Sequence, residues 1–312
     1  MQFNNPLLIL VGPTAVGKTQ LSLQLSERLD CEIVSADSRL FYRGMDIGTA
    51  KPTVEERTRI SHHLIDICQP DEIVSLTVFQ KLAVDAISTI QARGRLPILV
   101  GGTGQYIRAV VQGWKPPEVK PNEGLRSILE GLVNNKGGSW LHDGLHILDP
   151  EAAAKVDSRN YRRTIRAIEV IFTTGRKFSE QRTQGRSPYK LVTIGLTRPR
   201  PELYARVDVR IEAMFKNGFI EEVKGLLDGG YPPTLPAFSA IGYRECIKVI
   251  QGEWTIEQAK AEIRRVTRIF VRRQSNWFKE SDPHIKWFDA GGENILEILE
   301  AEIRNSFRSP HV

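Results

Sequence analysis

LLILVGPTAVGKTQLSLQL, residues 7–25, decides the fold. Within it Gly12, Pro13, Thr14, Ala15, Val16, Gly17, Lys18 and Thr19 spell G-x-x-x-x-G-K-[ST], the P-loop pattern. The unbroken apolar run before it, residues 7–11, suits a buried parallel strand. Leu21, Leu25 and Leu29 follow at helical spacing. The loop therefore lies between a strand and the N-terminus of a helix, where free backbone N–H groups and the helix dipole meet an anion. From there Lys18 reaches a terminal phosphate, and the Thr19 hydroxyl suits Mg²⁺. Such a cradle grips two linked phosphates, so any diphosphate is a possible guest beside a nucleoside triphosphate.

Outward from the loop, strand and helix patterns alternate. Residues 32–34 are a second short apolar run, and they lead into Ser35-Ala36-Asp37-Ser38-Arg39. Asp37 thus falls just past a strand end, where open α/β sheets place their ligands. A helix N-cap is the competing reading of the same residue. FYRGMDIGTAKP, residues 41–52, reads as a loop in which Arg43 and Lys51 either serve an anion or are solvated. Residues 62–67 resemble a short strand, with Asp66 at its end as a candidate Walker-B-like carboxylate. Phe79, Ala83, Ile87 and Ile90 mark a helix closed by Gly94. Residues 96–100 form another buried strand that empties into Gly101-Gly102-Thr103, which puts the Thr103 hydroxyl at the same edge as the P-loop. The repeated order of strand, loop and helix predicts a doubly wound parallel sheet.

At Trp114 the texture changes. A Pro-rich connection leads into a helical stretch with Leu125, Ile128, Leu129, Leu132 and Val133 on one face, broken at Gly137-Gly138. His142 and His146 enclose no Glu of a zinc motif, and Gly144 weakens a helix there. Residues 159–175 read as a stronger helix with Ile165, Ile168 and Phe172 inward. Arg159, Arg162, Arg163 and Arg166 group on its other side with only Glu169 to answer them, which suggests an anionic partner. Residues 190–196 return as a strand. The expected division is a P-loop core, residues 1–114 and 188–312, and a helical insertion, residues 115–187.

The last third is helical. Thr255 and Gln258 form a capping-box pattern at the start of a helix that carries Arg264, Arg268 and Arg272 on one face. Arg265, Arg273 and Lys279 add to it, and no acid intervenes between Ile263 and Lys279. That face suits RNA phosphates, with strongly salt-dependent binding. Ile263, Val266, Phe270 and Trp277 are expected on the opposite, core face.

The bulk numbers agree with a soluble globular chain: 312 residues, 41% hydrophobic, 26% charged, net charge +6. The excess of positive charge suits a polyanionic partner. Cys31, Cys68 and Cys246 show no metal or disulfide spacing, which fits a reducing cytosol. The N-terminal residues lack a charged n-region, and no apolar run approaches the roughly 18 residues that span a membrane.

These motifs together resemble the bacterial tRNA dimethylallyltransferases. The resemblance runs from residue 7 to residue 279 and rests on GPTAVGKT, DSRLFYRGMDIGTAKP, LVGGTGQY, RRTIRAIEV, AIGYRE and RRQSNWFK. It implies a P-loop NTPase-like, nucleotide-kinase-like parallel sheet flanked by helices, with an all-helical insertion that grips the tRNA anticodon arm. It implies a cytoplasmic, monomeric enzyme that transfers a dimethylallyl group from dimethylallyl diphosphate to N6 of the adenosine 3′ of the anticodon, with Mg²⁺ on Thr19. Asp37 would be the general base and Thr103 would touch substrate across the channel. By the same resemblance the tRNA is contacted by Asp37, Ser38, Arg39, Leu40, Thr103 and Arg126. The further contacts it implies are Arg162, Arg163, Thr164, Ile165 and Arg166, then Ser239, Ala240, Ile241, Gly242, Tyr243 and Arg244, then Arg272, Arg273, Gln274, Ser275, Asn276, Trp277, Phe278 and Lys279. The chain departs from the family where Gln105 replaces an aliphatic residue and where Arg162, Val271 and Arg272 stand in place of Lys or Gln. A small-molecule kinase, a transferase acting on free adenine nucleotides and a non-catalytic RNA-binding module are the rival readings. The first two share the P-loop but have no use for the arginine helix or for an insertion that grips a hairpin. The third leaves Lys18, Thr19 and Asp37 without a task.

Overall fold

The computed structural model describes residues 5–114, 117, 119–181, 185, 187–274 and 277–308. The chain divides into two compact units, Met1–Val111 with Ser187–Val312, and Gln112–Arg186.

The first unit opens with β1 (Pro6–Val11), α1 (Lys18–Leu29), β2 (Cys31–Ser35), α2 (Val54–Arg59), β3 (His62–His63), α3 (Leu76–Ala92), β4 (Leu96–Val100) and α4 (Gly104–Val111). The second unit holds α5 (Glu123–Lys136), α6 (Gly138–Leu148), α7 (Pro150–Lys155) and α8 (Tyr161–Thr174). The first unit then resumes with β5 (Lys190–Thr197), α9 (Arg200–Lys216), α10 (Phe219–Asp228), α11 (Tyr243–Ile250), α12 (Ile256–Gln274), β6 (Lys286–Asp289) and α13 (Ile295–Arg308). No helix among the described residues is long and apolar enough to cross a membrane.

The strands form one parallel sheet in the order β3-β2-β4-β1-β5-β6. All of β1 is buried because helices cover both faces of the sheet. Its alternate side chains serve opposite cores: Leu8 and Leu10 pack with α1, α9, α10 and α13, whereas Leu7, Ile9 and Val11 pack with α3 and α4. Ile9 pairs with Leu99 on one side and with Thr193 on the other, so β1, β4 and β5 end together. The P-loop, Asp37 and Thr103 all leave this carboxyl edge.

Three expectations change here. The strand expected at 62–67 is only His62–His63, because Leu64 and Asp66 adopt φ values of 63° and 55° that turn the chain away. α6 includes His142, Gly144 and His146, since Leu141 and Leu145 bury the helix against its neighbours and outweigh the glycine. Phe172 is 62% exposed, because the buried stripe of α8 runs through Thr164, Ile165, Ala167 and Ile168 and its last turn leaves the aromatic outside.

Candidate active site

The P-loop is held by its carbonyl groups. Gly12, at φ 149°, passes so close to β5 that a Cβ would stand 2.7 Å from the Leu196 carbonyl oxygen. Arg206 Nε donates to Ala15 O at 2.7 Å, and Arg198 Nε donates to Val16 O at 2.9 Å. Lys18 Nζ donates to the carbonyls of Gly12 and Pro13, both at 2.9 Å. The Thr14 N–H is taken by Gln274 Oε1 and the Val16 N–H by the Pro13 carbonyl, so with these oxygens tied back it is the N–H groups at the start of α1, from Gly17 to Thr19, that are left for an anion. Burial lowers the pKa of Lys18 to about 8; Asp37 opposes this and Arg210 adds to it.

Asp37 follows β2 in a turn, so it is not a helix cap. Its Oδ1 accepts the N–H of Arg39 at 3.0 Å, and its own N–H donates to Ser35 Oγ at 3.3 Å. The first bond orients the carboxylate and leaves Oδ2 to a ligand, and the second fixes the backbone beneath it. Gly101 lies against Ala36, so the loops after β2 and β4 run side by side.

Two cavities meet at Asp37. The first, of about 490 Å³, is polar: Lys18, Thr19, Asp37, Glu56, Arg59, Arg206 and Arg210 line it. The second, of about 330 Å³, is largely apolar, with Val207, Ile211, Met214, Ile241, Val266 and Phe270 in its wall. Thr14, Asp37, Thr49, Ala50 and Arg210 line both. Arg210 has no carboxylate partner among the described residues, and burial, with Arg206 beside it, holds its pKa below the ordinary arginine value. Thr103 opens α4 at the same sheet edge, half-buried, and is not in the wall of either cavity. The oxygen donors Thr19 and Asp37 share the polar cavity, a set that fits Mg²⁺ once phosphate oxygens complete it.

Arg198, Arg206, Arg210 and Thr49 were not singled out from the sequence. Arg206 and Arg210 stand four apart on α9, and that spacing next to a P-loop sheet was the available signal. Conversely, Asp66 does not serve a metal: its carboxylate binds Lys51 Nζ at 2.6 Å and Arg57 at 2.5 Å. Lys51 bridges Asp66 and Asp46 and is itself buried, so it serves no ligand. Arg43 Nε donates to the Asp66 carbonyl at 2.9 Å.

The residues expected to contact tRNA divide by burial. Arg39 donates to Ser239 Oγ at 3.1 Å, which brings two of those stretches together, and Leu40 lines the polar cavity. Ala240, Ile241 and Arg273 line the apolar cavity. Ser38 is partly accessible, Arg244, Arg272 and Lys279 are exposed, and Gly242 is buried against Phe219, so it is not reachable as expected. Four side chains cannot act as expected. Thr164 and Ile165 are buried in the core of the second unit, and Tyr243 is fully buried with its hydroxyl on Glu222. Gln274 is turned inward to the P-loop. Arg126 and Arg166 both pair with buried Glu169, at 2.8 and 2.6 Å, so they first hold the second unit together. Arg162 and Arg163 remain exposed on that helix. Trp277 is 37% exposed beneath the Arg108 guanidinium, and Phe270 is 43% exposed, so neither is a core residue; Phe278 is half-buried against α3 and α4. Ser275 and Asn276 lie outside the described residues. The arginine face of α12 is also less available than its sequence suggests. Arg268 pairs with Asp208 at 2.7 Å, and Arg264 with Glu212, both acids coming from α9.

The family model described as IPP transferase matches residues 40–281. A tRNA dimethylallyltransferase of Roseiflexus castenholzii is 50% identical over 304 residues, covering 97% of this chain and 99% of that one. The solved tRNA isopentenylpyrophosphate transferase of Bacillus halodurans is 42% identical, with a TM-score of 0.72 over 97% of each chain. A eukaryotic dimethylallyltransferase solved acting on tRNA is 26% identical with a TM-score of 0.77, covering 92% of this chain and 74% of that one.

Proposed function

We infer the reaction from the premise that this chain belongs to the IPP transferase family. It is a tRNA dimethylallyltransferase: it moves a dimethylallyl group from dimethylallyl diphosphate to N6 of the adenosine 3′-adjacent to the anticodon and releases diphosphate. The observation that carries this reading is the pair of cavities that meet at Asp37, one cationic and one apolar. A guest with an anionic head and a short hydrocarbon tail matches that pair.

The P-loop N–H groups, Lys18, Arg206 and Arg210 receive the diphosphate and stabilise the charge that builds on it as the bond from C1 to oxygen breaks. Val207, Ile211, Met214 and Phe270 hold the tail and keep water from the allylic cation character at C1. Adenine N6 attacks C1, a C–N bond forms, and the surplus N6 proton passes to Asp37. An amino group conjugated to a purine is a weak nucleophile, so a carboxylate placed to take its proton assists directly. Mg²⁺ held by Thr19 would neutralise phosphate charge. The target base must leave its stack to reach Asp37, at a cost of a few kcal/mol. Arg162 and Arg163 of the second unit are the exposed cations we assign to the anticodon arm. The reaction belongs where tRNA is processed, the cytoplasm.

Mass spectrometry of an unmodified tRNA with adenosine after the anticodon, incubated with protein, Mg²⁺ and dimethylallyl diphosphate, tests the reading. One added C5H8 unit at that adenosine is the expected result. Addition to free AMP but not to an anticodon stem-loop, or phosphate transfer from ATP without any prenylation, would overturn it.

A further inference from the structure

Gln274 ends α12 and is 6% exposed, a buried polar side chain at the end of an otherwise basic helix. Its Oε1 accepts the backbone N–H of Thr14 at 2.7 Å, across 260 positions of sequence. That acceptor fixes the orientation of the carboxamide, so Nε2 faces Gly102, where an added Cβ would collide with it. One side chain thus joins the P-loop, the glycine turn that leads to Thr103, and the end of α12. Gln274 reaches the loop from a cavity that it lines with Gly12 and Pro13, whereas Thr14 lines both cavities of the candidate active site. The contact therefore comes from a side that the guest does not occupy.

We propose that Gln274 is a positioning residue that holds the P-loop in its phosphate-binding form through Thr14 and so ties diphosphate affinity to the placement of the end of α12. The backbone at this point cannot hold itself. Thr14 follows a proline and precedes Ala15, which sits in the left-handed region at φ 65°, so its N–H has no regular-structure partner. A buried amide deprived of its acceptor rearranges to find another, and here the rearrangement moves the cradle. The reading of Gln274 as a tRNA contact is replaced by one in which it acts on the donor. This rests on the guest being a diphosphate, as argued above.

The test is titration calorimetry of inorganic diphosphate with Mg²⁺ into the full chain, with the affinity for an anticodon stem-loop measured separately. Gln274→Met keeps the length and removes the acceptor, and it should weaken diphosphate about tenfold while stem-loop affinity stays within about twofold. Gly102→Ala pushes on Nε2 from the other side and should weaken diphosphate in the same direction. The double variant should be no worse than Gln274→Met alone, because both act through one contact. With saturating donor, the kcat of Gln274→Met should be close to wild type and its KM for the donor raised, a split that simple loss of folded protein does not produce. Unchanged diphosphate affinity in folded Gln274→Met overturns the proposal, and so does a loss confined to the stem-loop. Wild-type protein that binds diphosphate but never prenylates tRNA would instead sink the proposed function and leave the Gln274 result standing.

Discussion

The Tyr243 hydroxyl donates to Glu222 at 2.7 Å, and the same carboxylate accepts the successive N–H groups of Asp46, Ile47 and Gly48 at 2.9, 2.6 and 3.2 Å. Glu222 thereby anchors the loop whose next residues, Thr49 and Ala50, line both cavities. The loop has no room to shift inward, since a Cβ on Gly48 would run into Phe219 and Tyr243.

Glu222→Ala should therefore act at two levels. Three amides lose their acceptor, and we expect a loss of about 3 kcal/mol in urea unfolding. Tyr243→Phe removes one donor and should cost about 1 kcal/mol. In both variants the KM for the donor should rise. Full stability in Glu222→Ala would show that the loop is held by its packing alone.

Asp37→Ala should lower turnover by roughly 100-fold or more while stem-loop affinity stays nearly intact, because the carboxylate takes a proton in the transition state. Its hydrogen bond to the Arg39 N–H is a local turn contact and carries little stability. Single-turnover prenylation beside equilibrium tRNA binding separates the two effects. Equal loss of both would make Asp37 a binding residue only.

Local features were legible in the sequence, and long-range pairing was not. The P-loop sits between β1 and α1 because five apolar residues and a leucine repeat flank it, and both signals lie within a dozen residues of the glycines. Asp37 and Thr103 could be placed at one edge because each directly follows a run that buries as strand. The arginine face of α12 misled because its partners, Asp208 and Glu212, lie on α9, fifty to sixty positions away, and no local pattern announces them. For the same reason the arginines that pin the P-loop carbonyls, Arg198 and Arg206, were invisible from the loop itself. β6 has four residues and a half-exposed pattern, too little period to detect.

The second unit should have an acid-sensitive core. Burial pushes the Glu169 carboxyl up, but hydrogen bonds from Arg126, the Asn122 N–H and Arg166 hold it below its ordinary 4.5. A depressed folded value means the stabilisation is full above pH 4.5 and is lost as pH falls through the lower folded value. Acid unfolding followed by circular dichroism should therefore begin below pH 4.5. Glu169→Ala strands two half-buried guanidiniums and should cost about 3 kcal/mol at neutral pH. A Glu169→Ala chain with wild-type stability at pH 7 would show that the ion pairs contribute nothing net.

Lys18 gives the diphosphate site its own pH dependence. Its pKa is lowered to about 8 from the ordinary 10.5, chiefly by burial, so above pH 8 most of the ligand-free protein carries a neutral amine. The same sign means Lys18 opposes folding when charged, and its contribution to stability rises with pH between about 8 and 10.5. A bound diphosphate recovers the ammonium, so binding at pH 9 should take up most of a proton through this residue, and at pH 6.5 almost none. Calorimetry of dimethylallyl diphosphate binding in buffers of different ionisation enthalpy reads that number directly. Lys18→Arg is the control, because a guanidinium stays charged throughout and removes the uptake. If wild type and Lys18→Arg take up the same number of protons at pH 9, the lysine is already charged in the free protein and the burial argument fails.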